Sequence, residues 1–448
     1  MRPRHARTLT LMSLVAGAAA VGAGWLGARA SGATEPPPGL AAGHPPFAAD
    51  VEGRTADIAF FERRAREDPE SAEDRAELAA LYLQRARETG DYEDLRRAEG
   101  TARQSLALRT AHNGKTFLTL ASALLAQHRF EEARAVAEDL GRGDSTVDSY
   151  RALLGETQLE LGDYDAARAT FAPLDPLVAP LSVAPRLARW AELTGRPGAA
   201  RRILYAALRD AERRPELPRE QLAWFRYRVG DLELRAGRLA AAERVLSDGL
   251  ATEPNDFRLL SAMARLAALR HDARAAVEYG ERAIALLLDP ATLGVIADAY
   301  AALGDSARAG EYARTMEVAV AGQPGPYHRA WSLFLLDHGQ RLPTVLVKAE
   351  EEIATRRDVY GYDLLGWALH RAGRDAEARR AMAQALRLGT QDAFLFYHAG
   401  MIERALGNDL AARRDLERAL EINPFFHPKQ PAAARATLDS LRQEHAAS

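Results

Sequence analysis

From Ile58 onward the apolar residues recur at steps of three and four, and the runs are broken by Gly-Asp, Gly-Arg or Pro. That spacing belongs to amphipathic helices, whereas strands alternate, so the pattern predicts helix after helix to the C-terminus and no strand. The helices also keep a fixed rhythm. Gly366 and Gly400, Ala378 and Ala412, and Ala385 and Ala419 each stand 34 residues apart, as do Gly230 and Ala264, Ala242 and Ala276, and Gly249 and Ala283.

The first 56 residues follow other rules. Arg2, Arg4 and Arg7 precede a run of 20 uncharged residues from Leu9 to Ala28, and Ala28-Arg29-Ala30 offers a small-x-small cleavage site. A basic start, an apolar stretch and such a site read as a secretory signal peptide over residues 1–30. The apolar run is also long enough for a membrane anchor, although Gly17, Gly22, Gly24 and Gly27 make it weakly hydrophobic. Either way the Arg cluster stays cytoplasmic and the rest is expected outside the cytoplasmic membrane, periplasmic or otherwise extracytoplasmic. Residues 31–56, with Pro36-Pro37-Pro38, Gly39, Gly43 and Pro45-Pro46, read as an extended spacer, leaving 57–448 for the helical array.

Composition narrows the chemistry. Hydrophobic residues are 47% of the 448 and charged residues 27%, an ordinary globular balance. Lys and Arg total 59 against 62 Asp and Glu, a net charge of −3 that lacks the basic excess of a nucleic-acid binder. The absence of Cys excludes disulfides, thiolate metal sites and Cys nucleophiles. No phosphate-binding G-x4-G-K-[ST], no H-E-x-x-H and no G-x-S-x-G occurs, so no catalytic, metal or cofactor residue is singled out and enzymatic activity is not expected. The eleven His read as surface or turn residues, and Glu350-Glu351-Glu352 as a solvated helix face.

Leu154-Gly155 followed by Gly162-Asp163-Tyr164, Ala167 and Phe171 is the clearest copy of the repeat. Tyr362, Leu365-Gly366, Gly373, Ala378 and Ala385 form another, and the next ends in Ala419-Leu420-Glu421-Ile422-Asn423-Pro424. This pattern resembles the tetratricopeptide repeat, a helix-turn-helix unit of about 34 residues. The resemblance implies an all-α, right-handed superhelical solenoid of about ten units, each coupled mainly to its neighbours. The small residue at each unit's twentieth position marks them: Ala98, Ala133, Ala167, Ala200, Ala242, Ala276, Ala309, Thr344, Ala378 and Ala412. The first unit departs from the pattern, because Gly90 follows Ala79 by eleven residues where seven is usual. The fourth carries Pro215 and Pro218 in its exit, and the eighth has Pro343 beside Thr344. Helices near 57–66 and 431–446 are expected to cap the array.

The resemblance also places the concave face at positions two, five, nine, twelve and thirteen of each unit. In the ninth unit these are Tyr360, Asp363, Trp367, His370 and Arg371; in the tenth they include Phe394, Tyr397, Met401 and Arg404; in the fifth, Trp224, Tyr227, Asp231, Leu234 and Arg235. Aromatic and Arg side chains carry binding energy well. Tyr360, Asp363, Trp367, His370, Arg371, Phe394, Tyr397, Met401 and Arg404, with Trp224 and Tyr227, are therefore the expected contacts for a protein or peptide partner. The competing expectation for the aromatics is core packing. Ninth positions run Glu156, Arg189, Asp231, Arg265, Asp298, Leu333, Trp367 and Met401, without the Asn of the chaperone-binding subclass. The function implied is an exported scaffold for a partner in the cell envelope, without nucleic acid or cofactor and touching membrane only through the N-terminal segment. The rival is an envelope enzyme or glycan-binding accessory with its ligand in the same groove.

Overall fold

A computed structural model describes residues 47–322 and 329–447, all within the unit 46–448. The export segment and most of the expected spacer lie outside the described residues, as does His328. Ten helix pairs follow one another. They are Ala72–Thr89 with Tyr92–Leu108, Gly114–Ala126 with Phe130–Gly143, Asp148–Leu161 with Tyr164–Phe171, Ala184–Leu193 with Pro197–Glu212, and Arg219–Arg235 with Leu239–Thr252. Phe257–Leu269 with Ala273–Ile284, Pro290–Ala302 with Ser306–Gly322, Arg329–Asp337 with Leu342–Thr355, Val359–Arg371 with Asp375–Ala385, and Ala393–Ala405 with Asp409–Ile422 complete them. No strand occurs among the described residues, and the fold is an all-α solenoid. One boundary moves: the leading helix runs Phe47–Glu67, so residues 47–56, expected as spacer, are helical. The closing helix is Gln430–Ala447.

Local chemistry sets the ends of these helices. Asp289 accepts the N–H of Thr292 at 2.8 Å and Asp358 that of Gly361 at 2.7 Å, each satisfying an orphan donor of a first helical turn. The turn between paired helices needs a positive φ, supplied by Gly162, Gly373 and Gly407. In the second and sixth units His128 and His271 take that place at φ 57° and 61°. Within a unit the helices cross closely: a methyl group on Gly155 would stand 2.5 Å from the Phe171 ring. Most marker alanines, Ala98, Ala133, Ala167, Ala378 and Ala412 among them, are fully buried. In the eighth unit the expected marker Thr344 is exposed and Val345, one place on, is the buried residue.

The array also coils back onto itself, which neighbour-to-neighbour coupling does not provide. Arg356 donates from Nε to the carbonyl of Glu160 at 3.0 Å, and the Arg357 N–H bonds the carbonyl of Leu161 at 3.3 Å. Arg387 reaches the carbonyl of Gly162 at 3.0 Å, and the Asn423 amide those of Leu234 and Arg235 at 3.0 and 3.1 Å. These acceptors lie at the C-terminal ends of the first helices in the third and fifth units, where carbonyls have no partner inside the helix. The segments that close the eighth, ninth and tenth units thus cap helices five or six units earlier. Gly195 fits the same seam, since a methyl group there would lie 2.4 Å from the Gly389 carbonyl oxygen. Packing follows: a single apolar core joins Ala152, Phe171, Trp190 and Phe225 to Val359, Met382 and Leu395.

Candidate functional site: the concave face

The aromatic end of the groove is core. Trp367 is 4% exposed, packed against Tyr397 and His398 of the tenth unit, and Tyr397 is 5% exposed, packed against Phe426 of the closing segment, in one core with Ala434 and Leu438. Phe394 is half-buried with its ring edge-on to Phe426 at 5.2 Å. Met401 meets Thr437, and Arg404 bonds Glu444 at 2.6 Å and Asp409 at 2.8 Å. The reason is periodic. The closing helix occupies the place of an eleventh first helix, so it covers on the tenth unit the positions that each unit uses against its neighbour. Asp363 is fully buried, accepting from His398 at 2.7 Å and from Arg329 at 2.5 Å. Burial would push its carboxyl up, but His398 and Arg329 hold it below the usual range. His370 stacks on Trp367 at 5.1 Å and bonds Asp375 at 2.6 Å, while Arg371 is exposed. Trp367, Tyr397 and Asp363 therefore present no groove surface to a partner, contrary to the sequence expectation.

Tyr360 and the fifth-unit residues belong to something else. Two guanidinium groups, Arg189 and Arg329, lie over the Tyr360 ring, each 5.1 Å from its centre. Beside it, buried Asp231 accepts from Arg265 at 2.6 Å and Arg235 at 3.0 Å, with Arg228 at 3.7 Å. Burial alone would raise the Asp231 carboxyl, yet Arg235, Arg265 and Arg228 hold it well below the usual range. Glu192 takes Arg235 and Arg228 from the other side. Tyr227 is half-buried, and the Asp231 charge and burial push its phenol up. Trp224 is half-buried and edge-on to Phe225 at 5.1 Å. The concave side of the middle units is thus a lattice of ion pairs between units. It continues toward the closing segment, where Asp298 of the seventh unit meets His338 at 3.1 Å and Lys429 at 3.2 Å.

Nearer the first units the concave side opens. A cavity of about 420 Å³ lies among Leu81, Gln84 and Arg87 of the first unit, Lys115, Leu118 and Ser122 of the second, and Pro218 of the fourth unit's exit. Lys115, Leu118 and Ser122 are the second, fifth and ninth positions of their unit, and a partner could reach them. The sequence reading weighted aromatics and passed over this end. It also passed over the charge lattice and over His398, a buried histidine with a carboxylate partner. Glu352 departs from the solvated face expected of its run and is buried.

Among the described residues no cluster of His, Asp and Glu could hold a metal ion, and no helix is long and apolar enough to cross a membrane. A search of the curated proteins finds no match. Among solved structures, PilW, a widely conserved type IV pilus biogenesis factor, is 19% identical, over 50% of this chain and 99% of its own, at a TM-score of 0.39. A tetratricopeptide repeat protein from Parabacteroides merdae is 15% identical over 58% and 98%, with a TM-score of 0.35. The Cut9-Hcn1 hetero-tetramer of APC/C gives 13% over 88% and 94%, also at 0.35. The family model for the tetratricopeptide repeat matches residues 395–426, which are the tenth helix pair. The tenth helix pair is thus a tetratricopeptide repeat, and nine further helix pairs stack before it in the all-α solenoid.

Proposed function

We propose that the chain is a non-catalytic interaction scaffold of the cell envelope, and that it receives an extended segment of a protein partner at the concave face of its first two units. The observation that carries this is the contrast along the groove. The aromatic concave positions of the last units are covered by their neighbours and the charged ones of the middle units, Asp231, Arg235 and Arg265, are committed to ion pairs, while Lys115, Leu118 and Ser122 line an open cavity. Such a hollow takes a few residues of a chain rather than a folded face.

A photo-crosslinking residue at Ser122 tests the assignment in intact cells, with Ala240 on an exposed second helix as the control position. A protein adduct at Ser122 and none at Ala240 is expected. Adducts at both, or at Ala240 alone, would remove the concave mouth as the binding face. The envelope assignment rests on Arg2, Arg4, Arg7 and the apolar run after them. A C-terminal alkaline phosphatase fusion should be active, and a fusion active only with a cytoplasmic reporter would place the scaffold inside the cell.

A further inference from the structure

The first unit's departure from the repeat has a chemical result. Its first helix, Ala72–Thr89, is at least a turn longer than those of the second, third and fourth units, because Gly90 comes eleven residues after Ala79. The extended end carries Gln84, Arg87 and Glu88. Arg87 lines the cavity at the mouth, and no hydrogen bond or ion pair from a described residue reaches its guanidinium. The acids that face it are already taken. Glu156 holds Arg186 at 2.6 Å, Glu220 holds Arg258 at 2.5 Å, and Glu88 has Arg54 at 3.5 Å and Gln84 at 3.0 Å. Lys115 on the opposite wall pairs with Glu77. Arg87 is therefore the surplus cation of this hollow, and its side chain is exposed to whatever enters it.

We propose that Arg87 is an anion subsite for a single carboxylate, the Asp or Glu side chain of an extended partner segment entering the mouth. The assignment rests on the proposed binding face. An acidic side chain is favoured over a uniformly acidic stretch because the lining carries both signs: Lys115 and Arg54 stand with Glu77, and a run of acids would meet Glu77 unfavourably. Leu81 and Leu118 offer apolar contact on either side of the charge.

The test is fluorescence anisotropy on the full chain. The probe is a nine-residue Gly/Ser/Leu peptide with one central Asp and both ends blocked, compared with its Asn counterpart and with the Asn peptide carrying a free C-terminal carboxylate. The Asp peptide should bind about tenfold more tightly than the blocked Asn peptide, as a charge-assisted pair predicts. Arg87→Gln should erase that preference, and Arg87→Lys should restore part of it. Circular dichroism establishes that each variant is folded. If the free-terminus peptide alone gains affinity, the occupant is a chain end and the proposal fails. If Arg87→Gln lowers stability but leaves the Asp preference intact, the cation only serves the carbonyl end of its own helix. If the wild-type chain shows no Asp preference, the subsite is overturned, while the crosslinking result at Ser122 still decides the binding face.

Discussion

Thr390 donates its hydroxyl to the backbone carbonyl of Leu193 at 2.6 Å, across 197 residues of sequence. Both groups are buried, and the acceptor is the last residue of the fourth unit's first helix, where no N–H of that helix can reach it. Thr390→Val keeps the shape and removes the donor, so it should cost about 1–3 kcal/mol, the penalty of an unpaired buried carbonyl. Hydrogen exchange should then quicken in residues 184–195 as well as around residue 390. Loosening confined to the ninth and tenth units would show that the seam does not couple turns of the coil.

Asp231 forms ion pairs with three Arg side chains and accepts hydrogen bonds from two of them, Arg235 and Arg265. Asp231→Ala leaves Arg228, Arg235 and Arg265 without their shared carboxylate, though partly reached by solvent, and should destabilise by about 1–3 kcal/mol in urea unfolding. Asp231→Asn preserves the hydrogen-bond acceptor but not the charge and should fall between the two. A change below about 0.5 kcal/mol for either would mean that solvent screens the lattice as it does surface pairs.

Trp367 contributes to stability from within the core. Trp367→Ala empties a core site shared with Tyr397 and stacked against His398 at 4.3 Å, and should cost about 3–5 kcal/mol. Tyr397, whose phenol burial pushes up to about 12, should resist ionisation in a spectrophotometric titration beyond the range of exposed tyrosines. An ordinary tyrosine midpoint for Tyr397 would contradict its burial.

Stability should fall as pH rises through the range just below neutrality. Burial pushes the carboxyls of Glu352 and Glu253 up to about 7, against the pull of Arg356 and Arg219 respectively. Between the ordinary Glu value and about 7 the folded chain holds more protons than the unfolded one, so their contribution is present in acid and lost on raising the pH. Asp231 and Asp363, held low, act oppositely and lose their contribution only below the usual Asp range. Melting temperature should therefore be higher near about pH 5.5 than at about pH 8. Glu352→Gln should raise the value at the alkaline end and flatten the slope, and an unchanged slope would refute the role of Glu352.

The repeat was legible because its constraints are local. A positive φ at each turn and a small side chain at each crossing leave Gly and Ala at fixed intervals, and those intervals survive in the sequence. Which concave residues stay free was not legible in the same way, since it depends on contacts between units. Trp367 and Tyr397 occupy positions that line a groove only when no neighbour covers them; the tenth unit's first helix covers Trp367, and the closing segment covers Tyr397. One signal was available and went unread: the ninth positions Glu156, Arg189, Asp231, Arg265 and Asp298 alternate in sign, and the Asp231–Arg265 pair shows adjacent units meeting through it. The contacts at 195 to 197 residues, Tyr164 to Val359 and Thr390 to Leu193 among them, leave no periodic trace at all.

Those contacts also fix how many units the chain can have. In an open repeat array a unit can be duplicated or lost with only its two borders to mend. Here Asn423 must land on Leu234, Thr390 on Leu193 and Arg356 on Glu160, so the coil behaves as a screw whose thread has one pitch. Excising one unit between residues 239 and 355 would advance every later thread by one place and present each capping side chain to the wrong helix end. Descendants of this chain should therefore vary their length outside that interval, and keep its unit count while its residues drift.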